Sequence, residues 1–410
     1  MSSFINFENT NPLLSSEINF SNKVSGLKPS AIREIFKSLS DPEMISFAAG
    51  NPSPLSFPVA QMKEIAEDIF TNRPTLALQY SITEGYPKLR EQVEERLKTK
   101  FNINMDGMTT IITTGGQQGI DLTAKALCNE GDIIITENPS FIGALNAFRA
   151  YNVDIRGVDL EDDGMNLEQL EKLLSENKNV KMIYTIPTFQ NPGGITASLE
   201  KRKAVIALAE KYGVIILEDN PYGELRFSGD DVPTMKSLDK NGIVVYCSSF
   251  SKVLSAGMRI GFLCGRSDII QKVVVAKQVN DVHTNIFFQL LASDFIEKFG
   301  LDDHIKGIRQ LYKEKCSLML SEMDKHFPKH IKYTRPDGGL FIWVTMPDKY
   351  DADLFAKEGV KEKVAVVSGT AFTPVQGDPS CSFRMNYSTP SDQQIILGVE
   401  RLGKLLERYV

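Results

Sequence analysis

Residues 243–259 read Ile-Val-Val-Tyr-Cys-Ser-Ser-Phe-Ser-Lys-Val-Leu-Ser-Ala-Gly-Met-Arg. The apolar run Ile243–Tyr246 predicts a buried strand, because it is short, rich in β-branched residues and followed by polar ones. Lys252 then emerges beyond the carboxyl end of that strand, where open α/β sheets bind their ligands. A lysine after a strand is usually an ordinary surface residue, so its hydroxyl and arginine neighbours decide the interpretation.

These neighbours meet two chemical demands. A lysine amine forms a Schiff base with a carbonyl compound, and partial burial beside a cation lowers its pKa toward the reactive neutral form. Ser249, Ser251 and Arg259 supply hydroxyl and guanidinium donors for a phosphate group. An aldehyde that carries a phosphate satisfies both demands, and pyridoxal phosphate is such a compound.

The region from about Met108 to Cys264 alternates short apolar runs with helix-like segments, which is typical of βαβ units and a mainly parallel sheet. Five runs end in polar residues, so each is a predicted strand with its carboxyl end marked. They are Thr109–Thr113, Ile133–Ile135, Met182–Ile186, Val214–Leu217 and Ile243–Tyr246. Because parallel strands share one carboxyl edge, the residues that follow these runs are expected to converge.

After about Asn285 the pattern changes. It predicts a long helix over Asp302–His326, a strand near residues 338–344, and a last helix with Thr389 as its cap and Pro390 in its first turn. We therefore expect an α/β protein with three parts: an N-terminal segment (1–50) that joins the smaller domain, a large α/β domain (51–295) and a small α+β domain (296–410).

Composition and charge indicate which kinds of partner and which cellular compartment to expect. The chain has 410 residues and a net charge of -6 with both signs interspersed, which predicts no nucleic-acid or anionic-lipid partner. We find no secretory signal and no apolar run of membrane-spanning length. The five cysteines are scattered and odd in number, which favours a reducing cytoplasm, and the four histidines lack metal spacing, so we predict no metal site.

Several single residues allow two interpretations. Asp219 ends an apolar run and needs a partner, which is either a protonated pyridine nitrogen or a structural ion pair or helix cap. Tyr222 and Asn191 are donors to a ring oxygen or simply turn residues. Gly115–Gly119 joins a strand to a helix whose free amides suit an anion. Arg384, between apolar neighbours, captures a substrate carboxylate or forms a buried structural pair.

Taken together, these residues resemble the fold-type I pyridoxal-phosphate aminotransferases. The resemblance is strongest to the branch that holds 2-aminoadipate and kynurenine aminotransferases and the catalytic portion of MocR-type regulators, and it covers nearly the whole chain. It rests on the motifs Pro29–Glu34, Ile45–Gly50, Leu78–Ser81, Phe189–Pro192, Glu218–Tyr222 and Ser249–Lys252. It implies a large domain with a mainly parallel seven-stranded sheet sandwiched by helices, and a smaller α+β domain.

The resemblance implies a role for each candidate cofactor ligand. Lys252 carries the Schiff base, Asp219 faces the pyridine nitrogen, and Asn191 and Tyr222 bind the ring oxygen, with Lys252, Asp219 and Tyr222 as the catalytic set. Phe141 stacks on the ring where relatives usually carry tyrosine. The implied phosphate ligands are the Gly116 and Gln117 backbone, Ser249, Ser251 and Arg259.

For the substrate, the resemblance implies that Arg384 and Asn191 bind the α-carboxylate beside Gly50. Arg33 matches an arginine that meets a distal carboxylate in aminoadipate-type relatives, although it is equally a helix-surface charge. Relatives of this kind are homodimers, so Tyr80 is expected to reach the phosphate of the neighbouring subunit.

The predicted function is transamination in two half-reactions, with Lys252 as covalent anchor and base. The donor stays open among 2-aminoadipate, aromatic, kynurenine-like and branched-chain amino acids, and 2-oxoglutarate is the implied acceptor. A β-lyase or decarboxylase would use the same residues. A MocR-type sensor is an alternative from another class, but about forty residues before the first matching helix are too few for a winged helix. A serine hydrolase with an S-x-x-K motif would need S-D-N and K-T-G companions, which do not occur.

Overall fold

The structure is a computed structural model that describes residues 20–27 and 41–409. Its strands are β1 (Ile45–Ser46), β2 (Met108–Thr113), β3 (Ile133–Asn138), β4 (Asp154–Glu161), β5 (Gly164–Met165), β6 (Val180–Thr185), β7 (Ile215–Asp219), β8 (Val244–Ser249), β9 (Gly261–Arg266), β10 (Lys332–Tyr333), β11 (Phe341–Thr345), β12 (Val364–Ala365), β13 (Val367–Ser368) and β14 (Ser382–Asn386).

The α-helices are α1 (Asn22–Ser25), α2 (Val59–Asn72), α3 (Pro74–Leu78), α4 (Pro87–Phe101), α5 (Gly115–Leu127), α6 (Ile142–Arg149), α7 (Leu167–Glu176), α8 (Leu199–Tyr212), α9 (Met235–Leu238), α10 (Ser267–Gln278), α11 (Ile286–Phe299), α12 (Leu301–His326), α13 (Ala352–Lys361) and α14 (Asp392–Leu406). Short 3-10 turns lie at Pro54–Ser56, Gly223–Leu225 and Gly369–Phe372. Within these described ranges, no helix is both long enough and apolar enough to cross a membrane.

The large sheet has the strand order β2-β9-β8-β7-β6-β3-β4-β5. Strands β8, β7, β6, β3 and β4 run parallel, whereas β9 is antiparallel to both β2 and β8. The α/β class and the mainly parallel sheet are thus confirmed. The strand count is eight rather than seven in the described residues, because the two-residue β5 folds back against β4.

Burial of both faces explains the continuous apolar runs of the central strands. On one face, Ile134 and Leu217 pack into the same cluster as Leu122 of α5. On the other face, Ile135 and Ile216 pack with the helices α7 and α8. All five predicted strands are present, and β7 and β8 extend far enough to include Asp219 and Ser249 themselves.

A second, antiparallel sheet has the order β10-β11-β14-β13, and β1 pairs in parallel with β12. The segment that follows β1 therefore reaches the active-site region from the side of the C-terminal elements. The division of the chain at residues 50 and 295 stays a prediction.

The cap predicted for the last helix was wrong. α14 begins at Asp392, and Ser391 caps it in a capping box with Gln394. Thr389 instead donates its hydroxyl to Asn386 Oδ1 at 3.1 Å, and the carbonyl of Pro390 accepts from Lys315 Nζ at 2.7 Å. The Thr389 side chain and the Pro390 carbonyl are thus both used in contacts of the turn that precedes α14. The helix therefore starts two residues later than predicted.

Candidate active site

The carboxyl ends of β7 and β8 meet the first turn of α5 around a cavity of about 440 Å³. Twelve of the predicted site residues line it: Gly50, Gly116, Gln117, Phe141, Asn191, Asp219, Tyr222, Ser249, Ser251, Lys252, Arg259 and Arg384. Tyr80 does not line this cavity; its side chain is 82% exposed and its ring lies edge-on to His283. Arg33 lies outside the described residues.

Lys252 follows β8 and turns its side chain into the cavity. Its Nζ donates a hydrogen bond to the carbonyl of Gly50 at 2.7 Å. Burial, followed by the positive charges of Arg384 and Arg259, lowers the pKa of Lys252 to about 8, and Asp219 opposes this shift. A substantial fraction of the amine is therefore neutral, and hence nucleophilic, near neutral pH.

Asp219 is the last residue of β7 and is almost fully buried. The hydroxyl of Tyr184 on the adjacent strand β6 donates to its Oδ2 at 2.8 Å. Burial raises the pKa of Asp219 to about 7; the Tyr184 hydrogen bond opposes this shift, and the charge of Glu218 adds to it. A cationic group against this carboxyl would favour its ionised form.

Arg384 lies on β14 and is 1% exposed. Its Nη1 donates to Asn191 Oδ1 at 2.8 Å and its Nη2 to the carbonyl of Ala48 at 2.9 Å. The amide of Asn191 in turn contacts the hydroxyl of Tyr222 at 3.4 Å. Nε of Arg384 has no hydrogen-bond partner among the described residues, so the guanidinium keeps a donor for a ligand.

The opposite end of the cavity is rich in hydrogen-bond donors. Ser249 Oγ lies 2.7 Å from Ser251 Oγ, and Arg259 Nη1 approaches Ser251 Oγ at 3.4 Å. Gly116 and Gln117 lie in the first turn of α5, where backbone amides have no acceptor within the helix. Hydroxyls, amides and a guanidinium around one point form an anion site.

Glycine is required where this helix begins. Gly115 has φ +75°, a left-handed conformation, and an added Cβ would collide with the guanidinium of Arg259. The glycine thus lets the arginine lie across the start of α5.

Two buried residues that support this site were not predicted from the sequence. Tyr184 is the hydrogen-bond partner of Asp219. The only feature of the sequence that pointed to it was its hydroxyl within an otherwise apolar strand. The Glu137 carboxylate accepts from the Ile186 amide at 3.0 Å and from Gln190 Nε2 at 2.9 Å, and it also binds the Thr185 hydroxyl. It joins the ends of β3 and β6, from which Phe141 and Asn191 follow.

A family model for class I and II aminotransferases matches residues 42–402. The chain belongs to this family. It is 38% identical to aromatic-amino-acid aminotransferase 1 of Thermococcus litoralis over 97% of this chain and 96% of that protein. It is also 35% identical to 2-aminoadipate transaminase of Thermus thermophilus, over 93% and 94% of the two chains.

A solved structure of Pyrococcus horikoshii kynurenine aminotransferase in complex with PMP has a TM-score of 0.91 to this chain. The two are 37% identical, and the match covers 95% of this chain and 97% of that one. The predicted resemblance is confirmed: this aminotransferase has fold type I, and its cofactor is pyridoxal phosphate.

The residues of the cavity fit that cofactor. The donor cluster at Ser249, Ser251 and Arg259 matches a phosphate, the buried Asp219 matches a protonated ring nitrogen, and the Lys252 amine matches an aldehyde. The three groups lie at or just beyond the carboxyl ends of β7 and β8, which are adjacent strands of the sheet.

In the cofactor-free aminotransferase, Asp219→Asn should raise the melting temperature by several degrees at pH 8 and by less at pH 5. The folded-state pKa is raised, so the contribution of Asp219 to stability is complete below about pH 4 and is lost as the pH rises through 7. Asparagine does not ionise, and the expected difference at pH 8 is on the order of a few kcal/mol. Thermal unfolding at both pH values measures it, with the exposed Asp378→Asn as control. An equal shift at both pH values would contradict the raised pKa.

The rate at which cofactor-free protein covalently captures pyridoxal phosphate should rise with pH, with a midpoint near 8, because the neutral Lys252 amine is the nucleophile. Arg384→Leu removes a cation that lowers this pKa, so the midpoint should move upward. Stopped-flow absorbance measures the rate, and the exposed Arg335→Leu should leave the midpoint in place. A downward shift in Arg384→Leu would exclude this electrostatic account.

Proposed function

We propose that this aminotransferase moves the amino group of a large L-amino acid to 2-oxoglutarate. The candidate donors are aromatic, kynurenine-like, branched-chain and 2-aminoadipate amino acids. The observation that carries the proposal is a single cavity lined by the Lys252 amine, the buried Asp219 and the Arg384 guanidinium, whose Nε has no hydrogen-bond partner among the described residues. The names of the similar proteins, which cover aromatic, 2-aminoadipate and kynurenine donors, support a large side chain.

When bound, pyridoxal phosphate supplies an aldehyde for covalent capture of amines and a ring that withdraws electrons from the substrate α-carbon. Lys252 provides the capturing amine in this proposal. The same nitrogen, when free, would remove the α-proton of the substrate, and general-base roles of this kind contribute roughly 10²–10⁴-fold to the rate. The carbonyl of Gly50, which accepts from Nζ at 2.7 Å, orients the amine.

Asp219 holds the proton of the ring nitrogen, and the Tyr184 hydroxyl fixes the carboxylate for that task. Tyr222 and Asn191, which line the cavity, would donate to the ring oxygen, and Phe141 would hold the ring by apolar contact. Burial raises the pKa of Tyr222, so its hydroxyl keeps its proton and remains a donor.

Arg384 binds the substrate α-carboxylate together with Asn191. The guanidinium lies 4.1 Å from the Phe341 ring and 4.9 Å from the Phe372 ring, which restricts its movement. A buried and preoriented arginine recognises a planar carboxylate with two donors. The role of Arg33 toward a distal carboxylate stays a prediction.

Ser249, Ser251, Arg259 and the amides of Gly116 and Gln117 hold the phosphate in this proposal. Tyr80 completes that set from a second copy of the chain, in a homodimer. Its exposure and its absence from the lining of the cavity of its own chain support this arrangement. A protein that sediments as a single chain and is unaffected by Tyr80→Phe would contradict it. The unpaired cysteines favour a cytoplasmic location.

Lys252→Ala should abolish amino transfer, because both the capturing amine and the base are lost. The assay incubates holoenzyme with 2-oxoglutarate and a panel of donors, and follows glutamate and each new oxo acid. The exposed Lys240→Ala is the matched control and should retain the wild-type rate. A Lys252→Ala protein with normal rates would refute the assignment. Cofactor binding without transfer from any donor would instead favour a ligand-sensing module.

A further inference from the structure

A second cavity, of about 320 Å³, lies on the other side of the segment that follows β7. Asp219 at the end of β7 and Tyr222 line the catalytic cavity, whereas Asn220 and Arg226 line the second one. The two cavities share no lining residue. The second cavity is therefore a separate site that touches the same backbone.

Arg226 presents free donors in this cavity. Its side chain is 8% exposed, and its Nε and Nη2 have no hydrogen-bond partner among the residues of the described ranges. Nη1 donates to the carbonyl of Ser228 at 3.2 Å, and the guanidinium packs 4.6 Å from the Phe189 ring. Nε forms an ion pair with Asp231 Oδ1 at 3.3 Å, but the geometry is not that of a hydrogen bond and the Asp231 side chain is 73% exposed.

Two further guanidinium groups lie near Arg226, and their hydrogen bonds go to neutral acceptors, although the charge of Glu218 acts on Arg202. The adjacent Arg202 guanidinium donates only to backbone carbonyls and to the Thr188 hydroxyl. Arg309 also donates to a carbonyl, that of Glu224, at 2.7 Å. The Glu224 carboxylate is itself paired with Arg96, so it does not neutralise these groups.

Buried guanidinium donors that lack hydrogen-bond partners and line a cavity are features of an oxyanion site. We propose that this second cavity binds a small oxyanion, the phosphate or carboxylate group of a metabolite. Nε and Nη2 of Arg226 are the principal donors, and Arg309 adds positive charge at the cavity wall, where Lys100 is paired with Asp302. This site is independent of the donor specificity proposed above.

The site adjoins the catalytic residues through Asn220. Its side chain donates to the Tyr246 hydroxyl at 3.0 Å, and its carbonyl accepts from Ser248 Oγ at 2.8 Å. Asn220 thus holds the backbone between the two cavities, and an anion in the second cavity lies beside the segment that carries Asp219.

The test titrates holoenzyme saturated with pyridoxal phosphate with inorganic phosphate, and separately with acetate, by calorimetry at constant ionic strength. We expect one saturable site per chain for phosphate and, for acetate, the same site in addition to the carboxylate site at Arg384. Arg226→Met should weaken binding at least tenfold and Arg309→Gln severalfold, while the exposed Lys240→Ala should have no effect. Tighter binding of phosphate would identify a phosphoryl group as the ligand, and tighter binding of acetate would identify a carboxylate.

Arg384→Ala separates this site from the catalytic cavity, because binding should persist in that variant. The proposal is overturned if neither anion binds saturably, if Arg384→Ala removes the binding, or if Arg226→Met and Arg309→Gln both bind as the wild type does. If Arg226→Met fails to fold, Arg309→Gln alone decides between these outcomes.

Discussion

The active site depends on the hydrogen bonds that the guanidinium of Arg384 donates. This arginine lies on β14 of the antiparallel sheet, yet it donates to Ala48 beyond β1 and to Asn191 beyond β6. Three stretches that are distant in sequence are therefore held by one side chain. Because that side chain is buried, loss of either acceptor would leave a charged donor without compensation. The arrangement of the cavity and the packing of the C-terminal strands onto the large sheet are thus coupled.

Buried ionisable groups are the second constraint on the site. Burial raises the pKa of Asp219 and of Glu137, each to about 7, and lowers that of Lys252 to about 8. Desolvation makes the charged form of each group unfavourable, and in the cofactor-free chain only hydrogen bonds and a few neighbouring charges oppose it. A ligand that brings a cation to Asp219 and a carbonyl to Lys252 relieves both penalties. The site is consequently less stable alone than with its cofactor, which is common where reactive groups are preorganised.

Much of the fold and of the site could be predicted from the sequence, because the carboxyl ends of parallel strands lie at one edge of the sheet. Asp219 and Lys252 each follow an unmistakable apolar run, so their convergence required only the sheet class. Strands β4 and β9 were not predicted, since β4 mixes exposed charges with apolar residues and β9 is bounded by glycines. Tyr184 and Glu137 were missed as supporting residues because hydrogen bonds between adjacent strands leave no local pattern. The cap was misplaced at Thr389 because Thr389 and Ser391 both have good capping side chains. Only tertiary contacts determine which of them caps the helix.

The catalytic cavity is buried at one end and exposed to solvent at the other. Asp219 is buried at one end, whereas Gln117 and Arg259 at the donor cluster are exposed. A molecule that enters must therefore shed water at its ring end, while its anionic end lies at the rim that the second copy of the chain would cover in the proposed homodimer. Bulk added at the ring nitrogen of such a molecule would meet closed packing, and bulk added at the anionic end would meet the partner subunit.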